Sequence, residues 1–196
     1  MSPSDVTSWT RPVAPADAQG KVRLLYDAIA ARSSSGRVSH LWMTLGLDPA
    51  SLEHSFAFRG ALFDDPAPLT AAQAELIALV VSATNGCGYC VSHHGPRLAL
   101  ALGNEALAHA VARDYREADL AARDRVLLDF AVAVTCEPAE RTRAEIERLR
   151  EYGFGDPAIV RATSVAAYYN HVNRIASALG VALESDHEAW EFGSQR

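Results

Sequence analysis

Residues 70–103 read TAAQAELIALVVSATNGCGYCVSHHGPRLALALG, and this stretch predicts two apolar helices joined by a short turn. Thr70 begins the first helix, because a threonine followed three residues later by Gln73 is the pattern of a capping box. The pair Asn85-Gly86 is typical of a tight turn and ends that helix. We therefore expect a helix–turn–helix unit against which the rest of the chain packs.

The second helix of this unit is predicted to begin near Cys87, with Gly103 as its C-cap. Pro96 lies inside it and has no backbone N–H to donate. We therefore expect a kink in the helix close to Ser92–Gly95.

The remainder of the chain has the same helical character. Apolar residues recur with helical spacing between glycine, proline and helix-capping signals, and no segment alternates apolar and polar residues as a strand does. The predicted fold class is therefore all-α. We expect an N-terminal arm over residues 1–16, a helical domain over 17–182 and an acidic C-terminal tail over 183–196, which packs Trp190 and Phe192 or remains a solvated or interface segment.

Composition restricts the class of protein. The 196 residues are 49% hydrophobic, and the formal net charge of -6 argues against nucleic acid or an anionic membrane as a partner. No apolar run is long enough for a membrane span, and the N-terminus does not resemble a signal peptide. We therefore expect a cytoplasmic protein, in which a close cysteine pair is catalytic or metal-binding.

One segment of the chain resembles another at an offset of 77 residues. His94-x-x-Arg97-x-Ala-x-Ala-Leu-Gly matches His171-x-x-Arg174-x-Ala-x-Ala-Leu-Gly. Internal duplication of a helical unit and chance likeness between alanine-rich helices both fit this pattern. If the duplication is real, only the first copy keeps the cysteines.

Three reactive side chains of the second helix are predicted to share one face. Cys87, Cys90 and His94 have the spacing i, i+3 and i+7, and His94 is also four residues from Cys90. The first turn of a helix favours a thiolate over a thiol, and a nearby imidazole adds to this effect. Glu75 lies on the preceding helix, where its carboxylate is placed to orient His94. The pattern is typical of a carboxylate–imidazole–thiol relay.

The same residues allow two other interpretations. Cys87, Cys90 and His94 could bind zinc with His93 or His54 as a fourth ligand, although no second cysteine–histidine pair is present. A purely structural cysteine pair in a helical oligomer is the other alternative.

Several further side chains have predicted roles. Tyr89 either lines the site or packs beside it, and Cys136 is expected to be a buried, inert thiol. His171 and Asn173 are expected to be hydrogen-bonded core residues. An apolar set is predicted to form core or subunit interface rather than a substrate pocket: Trp42, Met43, Phe56, Phe58 and Phe63.

The spacing of Glu75, Cys87, Cys90 and His94 resembles that of a known protein family. It is similar to the alkylhydroperoxidase D-like (AhpD-like) group of the carboxymuconolactone decarboxylase superfamily, and most to its peroxidase-related branch, where Asn-x-Cys-x-Tyr-Cys-x-x-His-His is typical. The resemblance covers roughly residues 20–182. It implies an all-helical fold, homo-oligomers and thiol-dependent reduction of hydroperoxides.

Carried over by position, the resemblance implies a role for each residue. Glu75 and His94 would form the proton relay, Cys90 would attack the peroxide and Cys87 would resolve the product as a disulfide. An external dithiol from a thioredoxin-like or lipoyl-type protein would reduce the enzyme, and no metal, flavin or haem would be needed. Founding members have a histidine where this chain has Tyr89, so that part of the relay is absent or replaced. The alternatives within the superfamily are a thiol–disulfide reductase or another non-peroxidase activity.

Overall fold

The computed structural model describes residues 7–195; the first six residues of the predicted arm and the last residue of the predicted tail lie outside this range. Within it the secondary structure is helical with no strand, which confirms the predicted all-α class. None of these helices is both long and apolar enough to cross a lipid bilayer. The α-helices are α1 Gly20–Arg32, α2 His40–Leu45, α3 Pro49–Phe63, α4 Ala71–Thr84, α5 Gly88–Leu102, α6 Glu105–Asp114, α7 Ala122–Cys136, α8 Arg143–Glu151 and α9 Asp156–Ala178.

Helix α4 lies at the centre of the molecule. Every residue from 73 to 84 is buried, and the helix contacts α5, α6, α7 and α9. A helix that is apolar around its whole circumference must be enclosed in this way to remove its side chains from water. Glu75 is the one carboxylate in that buried run, and the packing holds it at the centre of the fold.

The predicted capping box begins α4. The Thr70 hydroxyl accepts from the Gln73 backbone N–H at 3.1 Å, and the Gln73 side-chain oxygen accepts from the Thr70 N–H at 3.1 Å. The Gln73 amide also donates to Asp124 at 2.8 Å, so the same residue ties α4 to α7. Capping therefore fixes both the start of the central helix and its contact with a neighbour.

A three-residue turn folds α5 back against α4. Gly86, with φ of 70°, donates to the Ala83 carbonyl, and the Cys87 N–H donates to the Ser82 carbonyl at 2.9 Å. These two bonds form a Schellman motif, in which the left-handed residue is a glycine because a Cβ would be strained there. Cys87 is also the N-cap of α5, so the residue that closes one helix opens the next.

Helix α5 is continuous across Pro96. Proline removes the N–H that would bond the Ser92 carbonyl, and the sequence predicted a kink here. The Ser92 hydroxyl donates to the Gly88 carbonyl at 2.9 Å and accepts from the Trp190 N–H at 3.0 Å. The C-terminal tail is thereby attached to α5 one turn before the proline.

The C-terminal tail packs along α5 and α6. The Trp190 indole lies against Gly95 and stacks on His109 with ring centroids 3.8 Å apart. Gln195 is fully buried, accepts from the Tyr115 N–H at 3.1 Å and donates to the Ala112 carbonyl at 2.9 Å. The predicted packing of Trp190 is confirmed, and the expectation of a solvated tail is wrong for these residues.

The two segments related by the 77-residue offset differ in local structure. Cys87 is the N-cap of α5, whereas its counterpart Ser164 lies in the interior of α9. The helix–turn–helix unit is therefore not repeated at the second position.

Replacing Gly95 tests the attachment of the tail. A Cβ at this position would lie 2.2 Å from an indole carbon of Trp190, so the indole must move. We expect Gly95→Ala to lower the free energy of unfolding by about 1–3 kcal/mol, as overpacking does. Urea unfolding followed by circular dichroism measures this change.

The matched control for this prediction is Gly88→Ala on the same helix. There a Cβ would lie 3.5 Å from Phe192, an ordinary contact, and alanine is the better helix former. We expect this variant to be as stable as the unsubstituted chain or more so. Equal unfolding curves for the two variants would contradict the described packing of Trp190.

Candidate active site

The predicted contact between Glu75 and His94 is a direct hydrogen bond. Glu75 Oε2 and His94 Nδ1 are 2.6 Å apart, and both side chains are almost completely buried. Glu75 comes from the second turn of α4, and His94 comes from the second turn of α5. The turn between the two helices brings the residues together although they are 19 positions apart.

The protonation of this pair follows from its surroundings. Burial lowers the pKa of His94 to about 4, so its imidazole is neutral at pH 7. Burial opposes ionisation of Glu75, but His94, Arg97 and Arg59 outweigh that effect, and the pKa of the carboxyl group is lowered. An ionised carboxylate has no proton to donate, so Nδ1 of His94 is the donor and Nε2 is left as an acceptor. This is the form of a histidine that can accept a proton.

The two cysteines differ in their access to a cavity. Both are buried free thiols. Cys90 lines a small cavity of about 50 Å³ together with His94, Tyr89 and Tyr169, whereas Cys87 does not line it. The thiol that an incoming molecule meets is therefore Cys90, and Cys87 lies behind it.

The thiols also differ in acidity. A hydrogen bond from the Cys90 thiol, supported by the Cys90 backbone N–H, Ser177 and Asn173, lowers the pKa of Cys87 to about 7. Donating that hydrogen bond, together with burial, raises the pKa of Cys90 well above its usual value. The first negative charge of the pair therefore belongs to Cys87, as the position of Cys87 at the N-cap of α5 favours. Cys90 keeps its proton until a base removes it.

Asn173 of α9 lies beside the two cysteine thiols. It is buried, donates to the Ser82 hydroxyl at 3.0 Å and accepts from the Asn85 amide at 2.9 Å. The predicted hydrogen-bonded core role of Asn173 is confirmed. Its contact with the thiols was not predicted, because nothing in the local sequence of α9 indicates which helix it faces.

Glu184 of the C-terminal tail is a site residue that sequence reasoning missed. Its two oxygens accept from the Tyr89 hydroxyl at 3.0 Å, the His40 backbone N–H at 2.7 Å and His93 Nε2 at 2.8 Å. These contacts outweigh its burial and lower the pKa of Glu184 to about 2. Tyr89 lines the cavity, and its hydroxyl is held by the bond to Glu184.

Within residues 7–195, the histidine, cysteine and acidic side chains close enough to hold a metal ion together are His93, Glu184 and His187, whose ligand atoms lie within 4.8 Å of one another. Within this group His93 is hydrogen-bonded to Glu184 at 2.8 Å, and His187 lies 3.9 Å from the same carboxylate. The group contains neither cysteine, so the alternative zinc site built on Cys87, Cys90 and His94 gains no support.

Two other predictions are wrong. Cys136 is exposed rather than buried, because it is the last residue of α7 and points past the core. His171 is also exposed, on the outer face of α9, whereas its neighbour Val172 is buried. Neither residue belongs to the site.

A protein-family model matches the segment of the chain that contains these site residues. The model of the carboxymuconolactone decarboxylase family matches residues 49–106, which span α3, α4, α5 and the first two residues of α6. No curated protein gives a sequence match.

Solved structures match over nearly the whole chain. A protein from Ralstonia eutropha JMP134, described as an alkylhydroperoxidase AhpD core and an uncharacterized peroxidase-related protein, is 29% identical with a TM-score of 0.85, over 92% of this chain and 94% of that chain. An uncharacterized peroxidase-related protein from Silicibacter sp. TM1040 is 28% identical with a TM-score of 0.78, over 100% and 97%. The debrominase Bmp8 is 19% identical with a TM-score of 0.75, over 92% and 93%, and shows a shared fold alone.

The pKa of His94 makes a prediction about stability and pH. It is about 4 in the folded chain and about 6.5 when unfolded, so the unfolded chain binds more protons between these values. Stability therefore falls as the pH is lowered through this window. The lowered pKa of Glu75 adds its own loss only below the ordinary glutamate value.

We expect His94→Gln to remove most of this dependence. Between about pH 7 and pH 5 the unsubstituted chain should lose on the order of 2 kcal/mol more unfolding free energy than the variant. Urea titrations at both pH values measure the difference. His171→Gln is the control, because His171 is exposed and its replacement should leave the slope unchanged. A variant as pH-sensitive as the parent would show that His94 is not buried neutral.

A second prediction concerns the acidity of Cys87. Ser177 is one of the groups whose hydrogen bonds lower the pKa of this thiol. We expect Ser177→Ala to raise that pKa, seen as a shift to higher pH in the alkylation rate of Cys87 followed by peptide mass spectrometry. Ser164→Ala is the control, because the exposed Ser164 hydroxyl bonds the Val160 carbonyl on the same helix. Identical profiles for both variants would remove Ser177 from the thiol environment.

Proposed function

We propose that this chain, which belongs to the alkylhydroperoxidase D-like group of the carboxymuconolactone decarboxylase superfamily, is a thiol-dependent peroxidase that reduces hydroperoxides. The observation that carries the proposal is the small cavity that Cys90 and His94 both line, with His94 held as a neutral base by Glu75. The likeness to peroxidase-related structures supports the same class of activity.

In the first step His94 Nε2 takes the proton of Cys90, and the Cys90 sulfur attacks the terminal oxygen of the hydroperoxide. The O–O bond breaks, and the leaving alkoxide takes the proton from His94 to become an alcohol. Cys90 is then a sulfenic acid. Glu75 stabilises the imidazolium that forms in between, because its carboxylate already accepts from Nδ1.

In the second step the Cys87 thiolate attacks the Cys90 sulfur and forms the disulfide. The sulfenic oxygen leaves as water after protonation, so two thiols and one hydroperoxide give one disulfide, one alcohol and one water. A pKa of about 7 keeps a large fraction of Cys87 ionised at neutral pH, which suits a resolving thiol.

The disulfide must then be reduced by an external dithiol, and a thioredoxin-like or lipoyl-type protein is the proposed donor. Such a cycle fits a reducing compartment, so the proposed location is the cytoplasm. We also propose a homo-oligomer, as the family resemblance implies. No step of this cycle uses a metal, flavin or haem.

The acidity of the thiols favours one alternative. In many Cys-x-x-Cys oxidoreductases the first cysteine has the lowered pKa and attacks a disulfide of the partner, and here that cysteine is Cys87. Because the fold also occurs in a debrominase, the fold by itself does not select the substrate. Thiol–disulfide exchange without peroxide is therefore the second candidate, although Cys87 would have to become more accessible.

Substitution of single cysteines distinguishes these activities. We expect Cys90→Ser to reduce hydroperoxide-dependent dithiol consumption to background, because no attacking sulfur remains. Cys87→Ser should still form a sulfenic acid once per chain, detected by a dimedone adduct on Cys90, but should not turn over. Cys136→Ser is the matched control and should keep full activity, since this thiol is exposed at the end of α7.

Normal peroxide turnover by Cys90→Ser would overturn the proposal. Dithiol turnover that needs no peroxide and is lost in Cys87→Ser would favour the reductase instead.

A further inference from the structure

A large cavity shares part of its wall with the small one that Cys90 lines. Its volume is about 1000 Å³, at the upper end of the range for ligand pockets, against about 50 Å³ for the small cavity. Both are lined by Ser39, Trp42, Arg59, His93 and Arg97. A substrate would therefore lie in the large cavity and extend only its peroxide group past these residues to the thiol.

Five arginines line the large cavity, and they differ in their partners. Three of them have carboxylate partners, in the pairs Arg23–Asp27, Arg32–Asp64 and Arg37–Asp186. Arg59 and Arg97 form no ion pair within residues 7–195. Arg59 packs over the Phe63 ring at 5.4 Å, a contact that involves no carboxylate.

The two unpaired arginines are those at the junction of the cavities. Arg59 comes from α3 and Arg97 comes from α5, and both act electrostatically on Glu75 and His94. Two guanidinium groups in the wall of one cavity attract an anion and can bind a carboxylate with charge-assisted hydrogen bonds. The positive charge lies beside the thiol, where the substrate reacts.

The wall beyond the arginines is partly apolar. Trp42, Met43 and Phe56 line the large cavity, with Trp42 and Phe56 in an edge-on contact at 5.6 Å. The sequence favoured core or subunit interface for these residues, and in the structure they also form cavity wall. The pocket thus offers an apolar surface for an organic body and a positive junction for an anionic group.

We propose that the preferred substrates are organic hydroperoxides that carry a carboxylate a few bonds from the O–O group. Arg59 and Arg97 bind the carboxylate, Trp42 and Phe56 contact the carbon skeleton, and the peroxide oxygens enter the small cavity beside Cys90. The short reach follows from the small cavity, whose volume holds little more than the peroxide oxygens. This inference rests on the proposed peroxidase function, and the reaction at the Cys90 sulfur is the one described for that function.

Matched substrates test the proposal kinetically. tert-Butyl hydroperoxide is neutral, and β-hydroperoxyisovalerate is the same molecule with a carboxylate on one methyl group. We expect the carboxylated substrate to have the lower KM in the unsubstituted protein. Arg59→Gln and Arg97→Gln should each raise that KM by about tenfold or more and change the KM for tert-butyl hydroperoxide less than about twofold. Higher salt should also raise the KM of the anion.

Arg32→Gln is the matched control. Arg32 lines the same cavity but is paired with Asp64, so its replacement should not affect the preference for the anion. If Arg59 and Arg97 only balance the charge of Glu75, their replacement should slow both substrates equally, and that result would overturn the proposal. An anion preference in which Arg32→Gln and Arg59→Gln are equally defective would also contradict it. Para-carboxycumene hydroperoxide carries its carboxylate on the far side of the ring and tests the predicted short distance between carboxylate and peroxide. Its carboxylate should lower the KM little.

Binding of unreactive products separates this inference from the peroxidase proposal. β-Hydroxyisovalerate is tert-butanol with a carboxylate on one methyl group, and calorimetry measures the binding of both alcohols without any turnover. We expect only the carboxylate to bind detectably, and binding should be lost in Arg59→Gln and in Arg97→Gln. Equal binding of the two alcohols would refute the carboxylate site even if the peroxidase activity is present. Selective binding without peroxide turnover would uphold the site and refute the proposed reaction.

Discussion

The ionised side chain of Glu75 is the constraint on which the arrangement of this site depends. A carboxylate in the buried part of a helix that is enclosed on all sides is costly unless hydrogen bonds and positive charges compensate it. His94 supplies the hydrogen bond, and Arg59 and Arg97 supply the charge. The same compensation fixes the tautomer of His94, and its free nitrogen is available for the chemistry at Cys90. The hydrogen bond that stabilises the buried Glu75 carboxylate therefore also prepares His94 to act as a base.

The cysteines depend on a second local constraint, the turn between α4 and α5. Because Cys87 both closes a Schellman motif and caps the next helix, its sulfur lies at the positive N-terminal end of α5. One spacing thus gives two unlike thiols: an acidic one at the helix end and a protonated one facing the cavity. A sulfenic acid formed on Cys90 would have its resolving thiolate already in contact.

The sequence was sufficient to predict those parts of the structure that local sequence signals determine. The capping box, the glycine turn and the helical spacing predicted α4, α5 and the approach of Glu75 to His94. Contributions from distant segments could not be read in this way, as Asn173, Arg59 and Glu184 illustrate, because their roles depend on how helices and tail pack. The wrong predictions for Cys136 and His171 have a related cause: apolar neighbours indicate a helix, but they do not say which face or end of it reaches solvent.

The tail has a consequence for how members of the superfamily are compared. The segment that defines the family, residues 49–106, contains Glu75, both thiols and His94, but the carboxylate that holds Tyr89 and His93 comes from Glu184. Two chains with identical defining segments can therefore surround the same reactive atoms with different walls. A match to residues 49–106 therefore carries no information about the part of the wall that the residues after α9 contribute beside the site.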